Sequence, residues 1–337
     1  MPAIQREEDP LLRNKNGESS SMTKRIAAHF GMRTTTSHEL DRIEIQIQPE
    51  SFRFYAYIFF WSMSLIAILL TQFIVKKELL KGPAPGEPSC PPFQDGHGFD
   101  IETESHLQKA YGFNNICSNW DYSPSREITA LIYPLFEYSL LAYLVADFVN
   151  VSIAYQKGWV SHRFWRVSQC LFPVMVLFCS WFRMIFVILA YENVRGHTAA
   201  FLGLQLVLMM VACLNVFYIA ETKIEYDFLG GQRGTRMWAL AYLVCAVGIS
   251  AVKFYLDANV VLGFSYPKWG LVKVGSIVSG QVVDMIWMLF NAILPLFISY
   301  ARKNSEQPLE ITIDLQPPSY VLQRIRDEDM KSSATTA

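Results

Sequence analysis

Six stretches of about 20 mostly apolar residues, each bounded by polar or turn-forming residues, divide this chain. They cover about 54–75, 128–150, 168–190, 198–220, 237–256 and 277–300. At 1.5 Å per residue, each predicts a helix of roughly 30 Å, the thickness of a bilayer's hydrocarbon core. The pattern predicts an all-α polytopic integral membrane protein. A polar tail over 1–50 precedes a six-helix transmembrane region over 51–300, and a second polar tail covers 301–337. Both tails read as disordered. Residues 76–126 form a long polar loop after the first span, opening with Lys81-Gly-Pro-Ala-Pro-Gly86. In the first tail, Ile43, Ile45 and Ile47 alternate with polar residues. That alternation predicts either a short strand or a segment lying on the membrane surface.

Composition agrees with the pattern. Of 337 residues 52% are hydrophobic, and the formal net charge is −1. With no basic stripe and no Gly-rich phosphate loop, a nucleic-acid function is not expected. The first apolar run starts only after about 50 polar residues, later than a cleaved signal peptide would, so a retained anchor is expected. Lys and Arg in the connections set the orientation. The 2–3 link has Lys157, Arg163 and Arg166, and the 4–5 link has Lys223, Arg233 and Arg236. The 3–4 link has Arg195, and the 5–6 link has Lys268 and Lys273. Six against three predicts cytosolic tails and a luminal or extracellular long loop, although Lys76, Lys77 and Lys81 argue the other way. Cys90 and Cys117 fall in that loop, where an oxidising compartment would let them form a disulfide. The other four cysteines lie in apolar runs and read as small hydrophobes.

Charges inside apolar runs are the sharpest feature. An unpaired charge at mid-membrane costs roughly 2.5–3.5 kcal/mol by insertion scales, so it usually faces protein or water and has a partner. Glu137 lies roughly 13 Å from the luminal start of span 2, and Arg183 roughly 10 Å from the luminal end of span 3. Asp284, Lys253 and His197 fall in the same half. The cytosolic half is poorer, with Asp147 near Arg163 and Arg166 as its main member. Two readings of Glu137, Arg183, His197, Lys253 and Asp284 stand side by side. In one they line a polar cavity for a head group, ion or solute, where burial raises a carboxylate pKa and an Arg lowers it. In the other they are ion pairs that fix helix order, with Lys253 bonded to Asp284 or to Asp257 one turn on. Ser, His and acid residues do not fall at the spacing of a nucleophilic triad, and no Cys/His spacing matches a zinc site. No enzyme activity, metal or cofactor is expected from this sequence.

The tails carry short signals. Glu7-Glu-Asp-Pro-Leu11-Leu12 resembles the acidic dileucine motif that adaptor complexes read on cytosolic tails bound for endosomes and lysosomes. Pro317-Pro318-Ser-Tyr320 resembles the ligand of WW domains, including those of ubiquitin ligases, because the Pro pair pre-forms the extended helix an aromatic groove accepts.

Six spans, cytosolic tails and a long first luminal loop resemble the DRAM-like (damage-regulated autophagy modulator) membrane proteins over roughly residues 54–300. His197-Thr-Ala-Ala-Phe-Leu-Gly, opening span 4, and Val283-Asp284-Met-Ile-Trp287 in span 6 point the same way. Asp284 stands where that family has Glu. The resemblance implies a lysosomal, Golgi or plasma-membrane protein linked to autophagy or lipid handling. The expected function is a non-enzymatic endosomal or lysosomal membrane factor in trafficking, autophagy or lipid homeostasis that takes a lipid head group. The alternative is a transporter or channel for a small polar solute or ion.

Overall fold

A computed structural model describes residues 33–36, 42–84, 92–93, 97–112, 115–263 and 277–314. Among the described residues, six helices are long and apolar enough to cross a membrane: α1 (Pro49–Lys81), α4 (Ser125–Gln156), α5 (His162–Phe186), α6 (Ala190–Thr222), α7 (Gly231–Val261) and the Val282–Ser305 stretch of α8 (Ile277–Ser305). Between α1 and α4 lie the short helices α2 (Ile101–Glu104) and α3 (His106–Tyr111) and a 3₁₀ turn at Ile116–Trp120. The helix ends nearest the two tails define a tail side, and the long connection defines a loop side.

The helices overrun the apolar stretches, because hydropathy does not stop a helix; caps and partners do. Ser161 caps α5 by accepting the Phe164 N–H at 3.2 Å. In α6, Asn193 leaves the helical region and its side chain accepts the Gly196 N–H at 3.0 Å, restarting the helix just before His197. Wider π-helical turns interrupt α1 at Thr71–Val75 and α7 at Leu243–Val247.

The core forms around α6, of whose apolar stretch 61% is buried, against 22% for α5. Ala200, Leu204, Val207 and Ala212 of α6 are buried, as are Ala56, Met63 and Ala67 of α1 and Tyr143 of α4. Small residues let helices approach where bilayer and core are equally apolar. Gly203 makes the point for α5 and α6: a Cβ there would lie 3.2 Å from the Phe178 ring and 3.3 Å from its carbonyl oxygen.

The long connection is not simply a polar loop. Ile101, Leu107, Tyr111, Trp120 and Tyr122 are buried. Trp120 sits 6.3 Å from Phe60 and 6.4 Å from Phe182, ring centre to ring centre. Asp100 and Ser105 cap α2 and α3. Lys76 of α1 bonds Glu102 at 2.9 Å.

The tails are partly ordered, contrary to their polar composition. A separate unit forms a three-stranded antiparallel sheet, in the order β1 (Arg33–Thr36), β2 (Arg42–Ile47), β3 (Leu309–Asp314). Ile43, Ile45 and Ile47 stand opposite Ile313, Ile311 and Leu309. This settles β2 as a strand rather than a membrane-surface segment: two alternating segments match register, which a lone alternation cannot reveal. Glu7, Leu11, Leu12, Pro317, Pro318, Tyr320 and Cys90 lie outside the described residues.

Candidate functional site: two buried charge networks

On the loop side, Lys253 of α7 is fully buried between two carboxylates. Its Nζ lies 2.8 Å from Asp284 Oδ1 of α8 and 3.1 Å from Asp257 Oδ1 one turn on. Both expected partners are therefore engaged together. Asp257 also accepts the Gln205 amide of α6. Asp284 Oδ2 accepts the Ile116 N–H at 3.1 Å, which ties the long connection to α8. The rings of Phe201 and Tyr111 stand 5.3 and 5.4 Å from the ammonium. The ammonium donates to Asp257, and the Asp284 carboxylate and the two ring faces surround the rest of its charge, which suits a cation in low dielectric.

His197 does not join that group. It is 1% exposed, with Nδ1 2.8 Å from the Ile188 carbonyl oxygen and 3.6 Å from Asp121 Oδ1. A carbonyl only accepts, so Nδ1 carries a proton. Among the described residues, Nε2 has no hydrogen-bond partner. Burial lifts the Asp121 carboxyl above its usual range, and His197 opposes that rise. Glu137 and Arg183 also stand apart. They pair at 2.5 Å, with the Glu137 side chain 10% exposed and that of Arg183 58% exposed. The ion pair of the second reading exists, and it runs from a buried Glu137 to an Arg183 exposed on the outside of the bundle. The five residues expected to share one half thus fall into three groups: Lys253 with Asp284, Glu137 with Arg183, and His197 with Asp121.

The expected Cys90–Cys117 disulfide is not formed. Cys117 is a free, buried thiol. It lies in the 3₁₀ turn beneath the connection, so the cysteine that composition places in an exposed loop is packed against the bundle. Burial pushes its pKa well above the usual thiol range, which leaves it protonated and unreactive.

The tail side holds the larger network, which hydropathy reading misses. Arg302 of α8, 2% exposed, reaches Glu50 at 2.6 Å, Asp147 at 3.2 Å and Glu306 at 3.1 Å. It also donates to Asn215 Oδ1 at 3.0 Å. Arg53 of α1 donates to the same oxygen at 2.7 Å and to the Tyr242 hydroxyl at 3.0 Å. The Tyr143 ring lies 5.3 Å from its guanidinium carbon. Ser299 donates to Glu50 at 2.6 Å, and the Tyr226 hydroxyl to Glu306 at 2.6 Å. Helices α1, α4, α6, α7 and α8 meet here. Asp147, expected near Arg163 and Arg166, instead pairs with Arg302. A rigid planar fork with five donors reaches Glu50, Asp147, Glu306 and Asn215 at once, where an ammonium has only three donors on a single nitrogen. The signal was present in Glu50–Arg53 and Arg302–Glu306, spaced three and four apart, but both pairs lie beyond the hydropathy limits of their spans.

Comparison with protein-family models, with curated proteins and with solved structures finds no match to this chain.

Proposed function

We propose that this chain is a non-enzymatic multi-pass membrane factor of the endosome–lysosome system that regulates trafficking, autophagy or lipid homeostasis. The observation that carries this reading is the closure of both buried networks. Lys253 is held by Asp257 and Asp284, and Arg302 by Glu50, Asp147 and Glu306, each within salt-bridge distance. Charges engaged in this way across several helices favour a locked scaffold over a carrier that must exchange partners. The dileucine segment at Glu7, Leu11 and Leu12 supplies the address through an adaptor complex. The Pro317-Pro318-Ser-Tyr320 segment recruits a WW-domain ubiquitin ligase. Both assignments require cytosolic tails, as the Lys and Arg asymmetry of the connections favours. The test is residence: Leu11→Ala with Leu12→Ala shifts the protein from endosomes to the cell surface, and unchanged residence removes the sorting assignment.

A second reading, a transporter for a proton or small cation, has one observation in its favour. Two carboxylates face one ammonium around Lys253, so the centre carries a formal negative charge that a cation would balance. Proteoliposomes with an imposed proton or cation gradient decide between the two. Flux lost in Asp284→Asn favours the transporter; no flux from wild-type protein favours the scaffold.

A further inference from the structure

A groove between the tail-side ends of α6 and α7 lies apart from the ion-pair contacts of both networks. It has a volume of about 350 Å³. Its wall is apolar, with Val216 and Ile219 from α6 and Ala239 and Leu240 from α7. Its mouth carries Lys223 and Arg236, and no acid is among the described residues that line it. Glu221, the nearest acid on α6, is engaged with Ser161, accepting its N–H at 2.9 Å and its hydroxyl at 3.0 Å.

The groove straddles the membrane boundary. The apolar run of α6 ends at Ala220 and that of α7 starts at Met237. Val216 lies seven residues before Lys223, roughly 10 Å deeper along the helix. One end of the groove is therefore at headgroup level and the other is in the acyl layer. The connecting turn is held in place. Tyr226 is buried, its N–H donates to Thr235 Oγ1 at 3.0 Å, and its carbonyl accepts the Gly231 N–H at 3.1 Å. Lys223 itself has φ 54°, a left-handed conformation that glycine would adopt more readily. A lysine occupies it nonetheless and presents its ammonium at the mouth.

We propose that this groove binds an anionic phospholipid of the tail-side leaflet. One acyl chain lies along Val216, Ile219 and Leu240, and the phosphate sits between Lys223 and Arg236. The charges complement the ligand, and the apolar depth matches the upper part of an acyl chain. This names a ligand for the lipid part of the reading above and rests on it, but it is tested by binding alone. Residence and flux results are separate measurements, and failure here leaves them intact.

The experiment is native mass spectrometry of the full chain in phosphatidylcholine micelles titrated with phosphatidylserine. Each basic residue near an anionic headgroup contributes about fivefold in affinity, so Lys223→Gly with Arg236→Gln weakens phosphatidylserine retention about 25-fold. Phosphatidylcholine retention stays unchanged. Lys223→Gly relieves the left-handed backbone, so its thermal midpoint holds or rises while binding falls, which separates binding from folding. Ala220→Trp fills the groove and lowers retention with both charges intact. Equal phosphatidylserine retention in wild type and the double variant overturns the proposal. So does competition by soluble glycerophosphoserine as effective as that of the intact lipid, which would assign the mouth to a free phosphate ester.

Discussion

Replacing Lys253 by Met keeps the volume of the side chain and removes its charge from a fully buried site. The ammonium lies 2.8 and 3.1 Å from two carboxylates. At an effective dielectric of about 20, each contact is worth roughly 5–6 kcal/mol of Coulomb attraction, most of it offset by desolvation. The net consequence is read from what remains. Asp257 and Asp284 are left as buried like charges without their cation, and breaking such a group costs about 3–5 kcal/mol. Adding Asp257→Asn and Asp284→Asn removes the stranded charges while keeping the hydrogen bonds to Gln205 and Ile116 within reach. The triple variant therefore recovers most of the loss, to within about 1–2 kcal/mol of wild type, because neutral replacement of a buried ionic group is often tolerated. The assay is equilibrium unfolding in mixed micelles by dodecyl sulfate titration, followed by tryptophan fluorescence. A Lys253→Met protein as stable as wild type refutes the reasoning. A triple variant as unstable as the single one refutes it too, by showing that Lys253 packs rather than neutralises.

Other outcomes follow from the same geometry. Arg302→Lys keeps the charge but loses the fork that spans Glu50, Asp147 and Glu306, so unfolding titration shows a loss of about 2–3 kcal/mol, and Arg302→Met loses more. Gly203→Val drives a branched side chain against Phe178 and costs about 1–3 kcal/mol by separating α5 from α6, read as a fall in thermal midpoint. Cys117 resists maleimide in the folded protein at pH 8 and reacts fully once unfolded; rapid native labelling of Cys117 would place it in solvent. Glu137→Gln strands Arg183 on the bundle's outer face and lowers membrane yield, while the pair Glu137→Gln with Arg183→Gln restores it.

The six spans were legible because about 20 apolar residues have one common reason to recur. The pairing of Glu137 with Arg183 was legible as one of two readings, since residue counting from span ends put both at similar depth. Lys253 was legible only in part: Asp257 is its helical neighbour, but the simultaneous reach of Asp284 depends on how α7 and α8 pack. The tail-side network was hidden for a definite reason. A hydropathy limit at 54 and another at 300 leave Glu50, Arg53, Arg302 and Glu306 looking like solvated flanks, while the folded helices bury the first three. Asp147 lies 155 residues from Arg302, and no local rule joins them. Reading 76–126 as a polar loop missed that the long connection packs inward, with Trp120 and Tyr122 buried. The strand partner of Ile43, Ile45 and Ile47 was also written in the chain, as the alternation Leu309, Ile311, Ile313.

The pairing of β2 with β3 means that the two tails are not independent pieces for deletion. Strand β3 supplies the register partner of every residue from Arg42 to Ile47. A truncation before Leu309, made to remove the Pro317-Pro318 segment, also strips β2 of one neighbour. It exposes a six-residue edge with three isoleucines at alternate positions, the kind of surface that recruits other chains. Aggregation or mislocalisation after such a cut would report an orphaned strand as readily as a lost ligase site. Point substitution of Tyr320 keeps β3 in the chain and separates the two.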